Sequence, residues 1–348
     1  MGKLRIGFVG VGGMGQCAHL KNYAVSESCD VAAIAELREE LGRKVAEHYR
    51  VPKTYPDHTA MLEAEDLDGI VASQPFERHG MLVPELLQAG IPVFTEKPLA
   101  STVAAGEKIA AAVESSGNWM MIGYHKRSDP ATMYAKAQID QFQKTGELGK
   151  LRYVRILMPA GDWVQNGFDG LITTDEQAPA LVSEPPSDMD AETFRKYVEF
   201  VNYYIHQINL MRHLLGESYQ VTYVDASGVM LAVRSQSGVS GVIEMSPYTT
   251  SLDWQESAFV AFEHGWVKLA LPAPLVCNRA GKVDVFTDLD GRPNTYSPTL
   301  PATHSMRQQA ENFLAAIRGD AQPMCTAHDA LEDLKSARDY IRLLSEQR

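Results

Sequence analysis

LRIGFVGVGGMG, residues 4–15, opens the chain with an apolar run and closes on a cluster of glycines. Ile6, Phe8 and Val9 have the composition of a buried strand. Gly10, Gly12 and Gly15 fit the spacing G-x-G-x-x-G, and the Ala- and Leu-containing residues beyond them can begin a helix. Gly10 suits a tight turn out of the strand. Gly12, having no Cβ, lets a diphosphate approach the backbone, and Gly15 lets the helix pack close to the strand. N–H groups at the helix start, with Gly13 and Met14 in the same turn, then hold that diphosphate.

Such a loop needs a second strand that ends in an acid about 20 residues on. Asp30–Ala35 reads as that strand and Glu36 follows it, placed to accept hydrogen bonds from the adenosine ribose hydroxyls. A 2′-phosphate beside Glu36 would set like charges about 4 Å apart, unfavourable by roughly 4 kcal/mol per pair at an effective dielectric of 20. Arg38 offsets part of that if it turns inward. The expectation is NAD, with NADP disfavoured.

Size and composition set the frame. A chain of 348 residues accommodates two domains, and 45% hydrophobic with 22% charged residues is a globular balance. The net charge of −12 argues against nucleic acid and against anionic membrane as partners. No apolar run reaches the ~18 residues that span a bilayer. The first strand begins almost at the first residue, which reads as no signal peptide, and Ile6 stands where a myristoylation site wants Ser or Thr. Cys17, Cys29, Cys277 and Cys325 form no C-x-x-C pair and read as reduced thiols. Cytoplasm is the expected compartment.

Beyond Glu36 the pattern alternates. Helices are expected at 37–49, 58–65, 79–89 and 103–115, and strands at 67–73, 92–95 and 119–123. Strand–helix alternation over this length means a parallel sheet in a doubly wound fold. From Tyr124 the rhythm changes: a helix at 130–145, a strand at 151–158, and an aperiodic loop at 159–192, a length that is often functional. One long helix over 194–215 closes at Gly216. Strands at 219–226, 229–235, 239–247, 258–262 and 265–270 suggest an antiparallel sheet, and helices at 304–318 and 326–347 finish the chain. The expected architecture is α/β: a Rossmann domain over 1–124, then an α+β domain over 125–348 with a large, mainly antiparallel open sheet. The last helices are free to pack back on the first domain.

The sequence resembles the glucose-fructose oxidoreductase, inositol dehydrogenase and rhizopine-catabolism (Gfo/Idh/MocA) family. The glycine turn at 10–15 carries the likeness, with Pro75-x-x-x-His79, AGIPVFTEKPLA at 89–100, GYHKRSDP at 123–130 and IHQINLMRHLLG at 205–216. Phe313, Ile317, Pro323 and the helix after Thr326 complete it. The resemblance implies a substrate lying over the nicotinamide between two domains. It also implies a sheet face that buries against another subunit, hence a homodimer or homotetramer. Ser73, Gln74, Pro75, His79 and Glu96 are implied cofactor contacts or scaffolding.

Oxidation of a secondary alcohol needs a hydride acceptor and a group that takes the hydroxyl proton. The resemblance places Lys97 between nicotinamide ribose and substrate hydroxyl. A lysine serves as base once its pKa falls from ~10.4 toward ~7–8, which burial beside a cationic ring promotes. The peptide before Pro98 is open to either isomer. Asn202, His206, Asn209 and His213 recur at helical spacing and share one stripe. Relatives often carry Asp where Asn202 stands. An amide cannot take a proton, though it binds hydroxyls as donor or acceptor, so more of the proton transfer shifts from His206 to Lys97. His206 reads either as a second acid/base or as a packed core histidine, and His213 as a charge complementing the helix C-terminus. His125 stands where Asn is more usual in the family's substrate-side loop. Arg127 either binds substrate hydroxyls or a carboxylate, or makes a surface ion pair. Trp163 either stacks on a sugar face or anchors its loop. Of Tyr203 and Tyr204, at most one faces the pocket. No spacing points to a metal.

The reading is an NAD-dependent oxidoreductase acting on a sugar, glycoside or cyclitol, with Lys97 as acid/base and His206 assisting. Two alternatives stand beside it: an enzyme that cleaves glycosides by transient oxidation on retained NAD, and a silent nucleotide-sensing regulator of the same fold.

Overall fold

The computed structural model describes residues 2–178, 186 and 188–347, and the part of the expected 159–192 loop at 179–185 and 187 lies outside them. The chain divides into two compact units. The first comprises Met1–Tyr124, Asn166–Asp190 and Met306–Leu334; the second comprises His125–Gln165, Ala191–Ser305 and Lys335–Arg348.

In the first unit, β1 (Leu4–Val9), β2 (Cys29–Ala35), β3 (Thr54–Tyr55), β4 (Gly69–Ala72), β5 (Val93–Glu96) and β6 (Met120–Gly123) form one sheet in the order β3-β2-β1-β4-β5-β6. Every pairing is parallel. That order reverses direction between β1 and β4, and in doubly wound sheets the ligand crevice lies at the carboxyl ends of the strands at this point. The two-residue β3 was not foreseen. Between Pro52 and Pro56 it is too short to show a period, and its partner β2 supplies the bonds, with Ile34 N donating to Lys53 O and Glu36 N to Tyr55 O.

The helices follow local chemistry. The Asp57 carboxylate accepts from Ala60 N–H at 2.8 Å and starts α3 (His58–Ala64). Thr102 does the same for α5 (Val103–Ser116), which ends on left-handed Gly117. Helix α1 leaves the glycine turn with a π-wound stretch, Gly15–Leu20, and continues as Lys21–Tyr23. The fully buried Ile6 and Phe8 of β1 sit in a core with Tyr23, Ile34, Phe94 and, from α9 (Ser305–Ile317), Phe313 and Leu314. Helices α2 (Glu39–Tyr49) and α4 (His79–Gln88) complete the βα units.

The second unit is built on an eight-stranded sheet. Its strands are β7 (Leu151–Ala160), β8 (Tyr219–Val224), β9 (Met230–Ser235), β10 (Ser240–Thr249), β11 (Glu256–Phe262), β12 (Gly265–Leu271), β13 (Lys282–Leu289) and β14 (Arg292–Tyr296). The order is β14-β13-β12-β11-β7-β10-β9-β8; β7 and β10 run parallel, and all other pairs are antiparallel. The β13–β14 hairpin was missed, although Asp290-Gly291 is the two-residue turn signal for it, and both residues take the required positive φ, 53° and 69°. Helices α6 (Pro130–Thr145) and α8 (Ile205–Leu215) pack on one face of this sheet. The expected single helix over 194–215 is two, because α7 (Ala191–Tyr203) stops before Tyr204 and α8 begins after it. Helix α10 (Ala327–Glu346) belongs to the first unit through Leu334 and to the second beyond it. Among the described residues no helix is long and apolar enough to cross a membrane.

Candidate active site

The glycine turn has the shape that a diphosphate requires. Gly10 takes φ +89°, and a Cβ on Gly15 would sit 2.7 Å from the Gly10 carbonyl oxygen, so neither position tolerates a side chain. A Cβ on Gly12 would meet only the Arg38 Nη2, at 3.6 Å. The outward face of the turn is therefore open backbone beside a cation, which fits a nicotinamide dinucleotide.

Glu36, at the end of β2, is buried. It accepts the Val11 N–H at 2.9 Å through one oxygen, and the Arg38 N–H and Nε at 3.2 and 2.7 Å through the other. Arg38 thus turns inward, as the sequence allowed. Ser73, Gln74 and Pro75 follow β4 across the switch point, with Ser73 N–H donating to Val9 O at 3.0 Å and the Gln74 amide to the same oxygen at 3.2 Å.

Lys97 stands just past β5, half-buried, and the Lys97–Pro98 peptide is cis. Two buried histidines secure its loop, one directly and one through Glu96. His79 Nδ1 bonds the carbonyls of Pro98 and Leu99 at 3.2 and 3.1 Å. Burial holds the His79 pKa below the usual imidazole value, so the ring is neutral and Nδ1 carries the donated proton. His19 Nε2 lies 2.7 Å from one oxygen of buried Glu96, whose other oxygen accepts the Lys97 N–H at 3.1 Å. Burial pushes the Glu96 carboxyl up, but the His19 hydrogen bond and charge, with Lys97, hold it below the ordinary value. His19 projects from the π-wound part of α1, so the helix leaving the glycine turn is tied to the lysine loop. Windings of this kind often mark functional sites.

A distant segment joins this half. The ring of Phe168 lies 3.4 Å from where a Gly13 Cβ would be. Gln16 donates to Ile172 O and accepts from Ile172 N–H, both at 3.0 Å, and Glu176 bonds the first turn of α2. Residues 166–176 therefore form a strap seated on the glycine turn.

In the second unit, His125, Lys126, Arg127 and Ser128 occupy one buried 3₁₀ turn. His125 Nδ1 is 3.0 Å from Ser305 Oγ, and its ring meets the His206 ring edge-on with centroids 4.7 Å apart. Arg127 donates Nε to Asn209 Oδ1 at 2.7 Å; it is 5% exposed, which removes the surface-ion-pair reading. Beneath this turn Lys126 pairs with Glu256, which also accepts from Gln207 and from Trp254 Nε1. Burial pushes Asp129 up to about 6 despite N–H bonds from Ala131 and Gly281. His206 is half-buried on α8, whereas Asn202 is exposed on α7, so the expected stripe is interrupted at Tyr204. His213 is held well below the usual imidazole value by burial and the charges of Arg127 and Lys136. It stays neutral and does not serve as the helix-terminal cation that its spacing suggested. Tyr203 and Tyr204 both pack against the cluster of Met158, Trp254 and Ala273. Trp163 is exposed, and its carbonyl accepts from Leu275 N–H.

Residues 4–124 match the family described as oxidoreductase family, NAD-binding Rossmann fold, Gfo/Idh/MocA. The family match thus covers the first unit's nucleotide-binding sheet, β1 to β6. It is 29% identical to inositol 2-dehydrogenase of Acidothermus cellulolyticus over 147 residues, 42% of each protein, so this match spans less than half of that relative. To the rhizopine catabolism protein MocA of Rhizobium meliloti it is 25% identical over 360 residues, covering 99% of this chain and 96% of the other. Its fold superposes on aldose-aldose oxidoreductase of Caulobacter crescentus with a TM-score of 0.72 at 20% identity, covering 100% and 98% of the two chains. Residues 4–124 are accordingly an NAD-binding Rossmann domain of the oxidoreductase type.

Sequence reasoning missed His19, Gln16 and Glu176. His19 falls four residues after Gly15 and carried a local signal, being a histidine in the first turns of the helix that leaves the glycine turn. Gln16 and Glu176 had none, since their partners, Ile172 and Glu40, lie 156 and 136 residues away.

Proposed function

We propose that this oxidoreductase acts in the cytoplasm on a secondary hydroxyl, or the matching ketone, of a sugar, glycoside or cyclitol, with Lys97 as the acid/base. One observation carries this reading: the lysine loop at the carboxyl end of β5 is held by His79 and, through Glu96, by a histidine of the helix that leaves the glycine turn. An amine carried on a firmly held loop at the ligand edge of a dinucleotide sheet is what proton transfer requires. Bound nicotinamide supplies the hydride acceptor. Lys97 takes the hydroxyl proton and His206 assists. Asn202, His125, Arg127 and Trp163 bind the substrate, with Asn209 fixing the Arg127 guanidinium and Ser305 the His125 ring. The relatives named for inositol and for rhizopine catabolism support a polyhydroxylated ring as substrate. A panel of hexoses, inositols and glycosides with NAD tests the reading: absorbance at 340 nm should rise with at least one of them, and silence across the panel, without product, refutes it.

The strap over the glycine turn favours a second reading, in which NAD stays bound and oxidation is transient. Product formed without released NADH distinguishes it.

The sheet of the second unit carries a half-buried aromatic row, Phe259–Trp266–Phe286, with neighbouring centroids 5.8 and 5.7 Å apart. We take a second copy of the chain to cover it, as a homodimer or homotetramer. Light scattering coupled to gel filtration should give a mass at least twice 38.4 kDa, and a monomer at micromolar concentration would contradict this.

A further inference from the structure

The first turn of α2 has an unusual occupant. Its N-cap residue, Arg38, makes no side-chain capping bond. The orphan N–H groups of Glu40 and Leu41 donate instead to the two oxygens of Glu176, at 3.1 and 2.9 Å. The Thr174 hydroxyl adds a third bond at 3.1 Å. The carboxylate is brought there by the strap, whose Ile172 is clasped by Gln16. Burial raises the Glu176 pKa, but the two N–H bonds, Thr174 and the nearby Arg38 hold it below the usual carboxylate range, so it is charged at neutral pH.

This location matters for coenzyme choice. In dinucleotide folds the ribose 2′-position lies by the acid that ends β2, and a 2′-phosphate is met by an arginine just beyond it. Helix N–H groups beside such an arginine are a natural phosphate cradle. Here the arginine is Arg38, already paired with Glu36, and the cradle already holds a carboxylate. We propose that Glu176 is a specificity-determining residue: a built-in anion that fills the 2′-phosphate position and, together with Glu36, excludes NADP. The inference rests on the reading that the glycine turn holds a nicotinamide dinucleotide. It goes further in making coenzyme selection the work of a segment outside the βαβ unit.

Binding of NAD and NADP to the full-length protein, measured by calorimetry, tests it. The wild type should bind NAD and strongly disfavour NADP. Glu176→Gln keeps the shape and removes the charge, and should shift the ratio of the two dissociation constants toward NADP by about tenfold or more. Glu176→Ala should shift it in the same direction, and Asp175→Asn, at the exposed neighbour, should leave it alone. If Glu176 only anchors the strap, both dinucleotides weaken alike and the ratio stays within about twofold, which overturns the proposal. A wild type that binds neither dinucleotide would instead overturn the cofactor reading beneath it.

Discussion

Lys97→Ala is expected to lower turnover by about 10³-fold while leaving NAD affinity within about tenfold of wild type. The fold frames the backbone that carries this amine, with His79 on the carbonyls of Pro98 and Leu99 and Glu96 on the Lys97 backbone N–H. That framing is independent of the side chain, so the variant should keep its melting temperature and its dinucleotide site. Lys97→Arg separates charge from proton transfer. A guanidinium keeps the positive charge but cannot give up a proton in this range, so it too should be inactive. Steady-state kinetics on the best substrate of the panel, with a parallel NAD titration, reads both. Turnover within a few fold of wild type in either variant removes Lys97 from the chemistry.

The second large effect is on stability. His19→Ala leaves Glu96 buried without its hydrogen-bond partner, and losing a bond to a charged group costs about 1.5–3 kcal/mol. The sign of its pH dependence follows from Glu96. Its folded pKa lies below the ordinary 4.5, so above that value the ionised Glu96 carboxylate, bonded as it is in the fold, contributes stability in full. That contribution is lost as pH falls through the lower folded value. In His19→Ala the contribution should be absent, so the wild-type advantage in urea should shrink from pH 6 toward pH 3. Glu96→Gln in the same background should recover part of the loss, since no buried charge is then stranded. The same variant should also lower kcat, because the lysine loop loses its tie to α1. An equal urea midpoint in wild type and His19→Ala would show that the pair carries no weight.

The division between local and long-range information is visible in particular residues. Elements whose cause lies within a few residues were readable: β1 with its glycine turn, the acid ending β2, α6 from Pro130 to Thr145, and the strands of the second sheet from Tyr219 to Leu271. Glu36 and Arg38 could be paired on paper because they are two residues apart. The β13–β14 hairpin likewise carries a local cause, its Asp290-Gly291 turn. By contrast β3 exists only because β2 offers an edge, and the break at Tyr204 cannot be seen in a pattern that stays helical on both sides of it.

By itself, then, the sequence determined the parallel nucleotide-binding sheet with its glycine turn and the antiparallel second sheet, because backbone conformation answers to turn residues and to periodicity in short windows. Only the tertiary structure decided what surrounds those pieces. It buried Arg127 against Asn209, kept His213 neutral by burial and the charges of Arg127 and Lys136, set two histidines around the lysine loop, and carried Glu176 across 136 residues to the Glu40 N–H at the start of α2. Hydrogen bonds and desolvation act over a few ångströms in space, and nothing in a linear pattern records which distant residue will fill that distance.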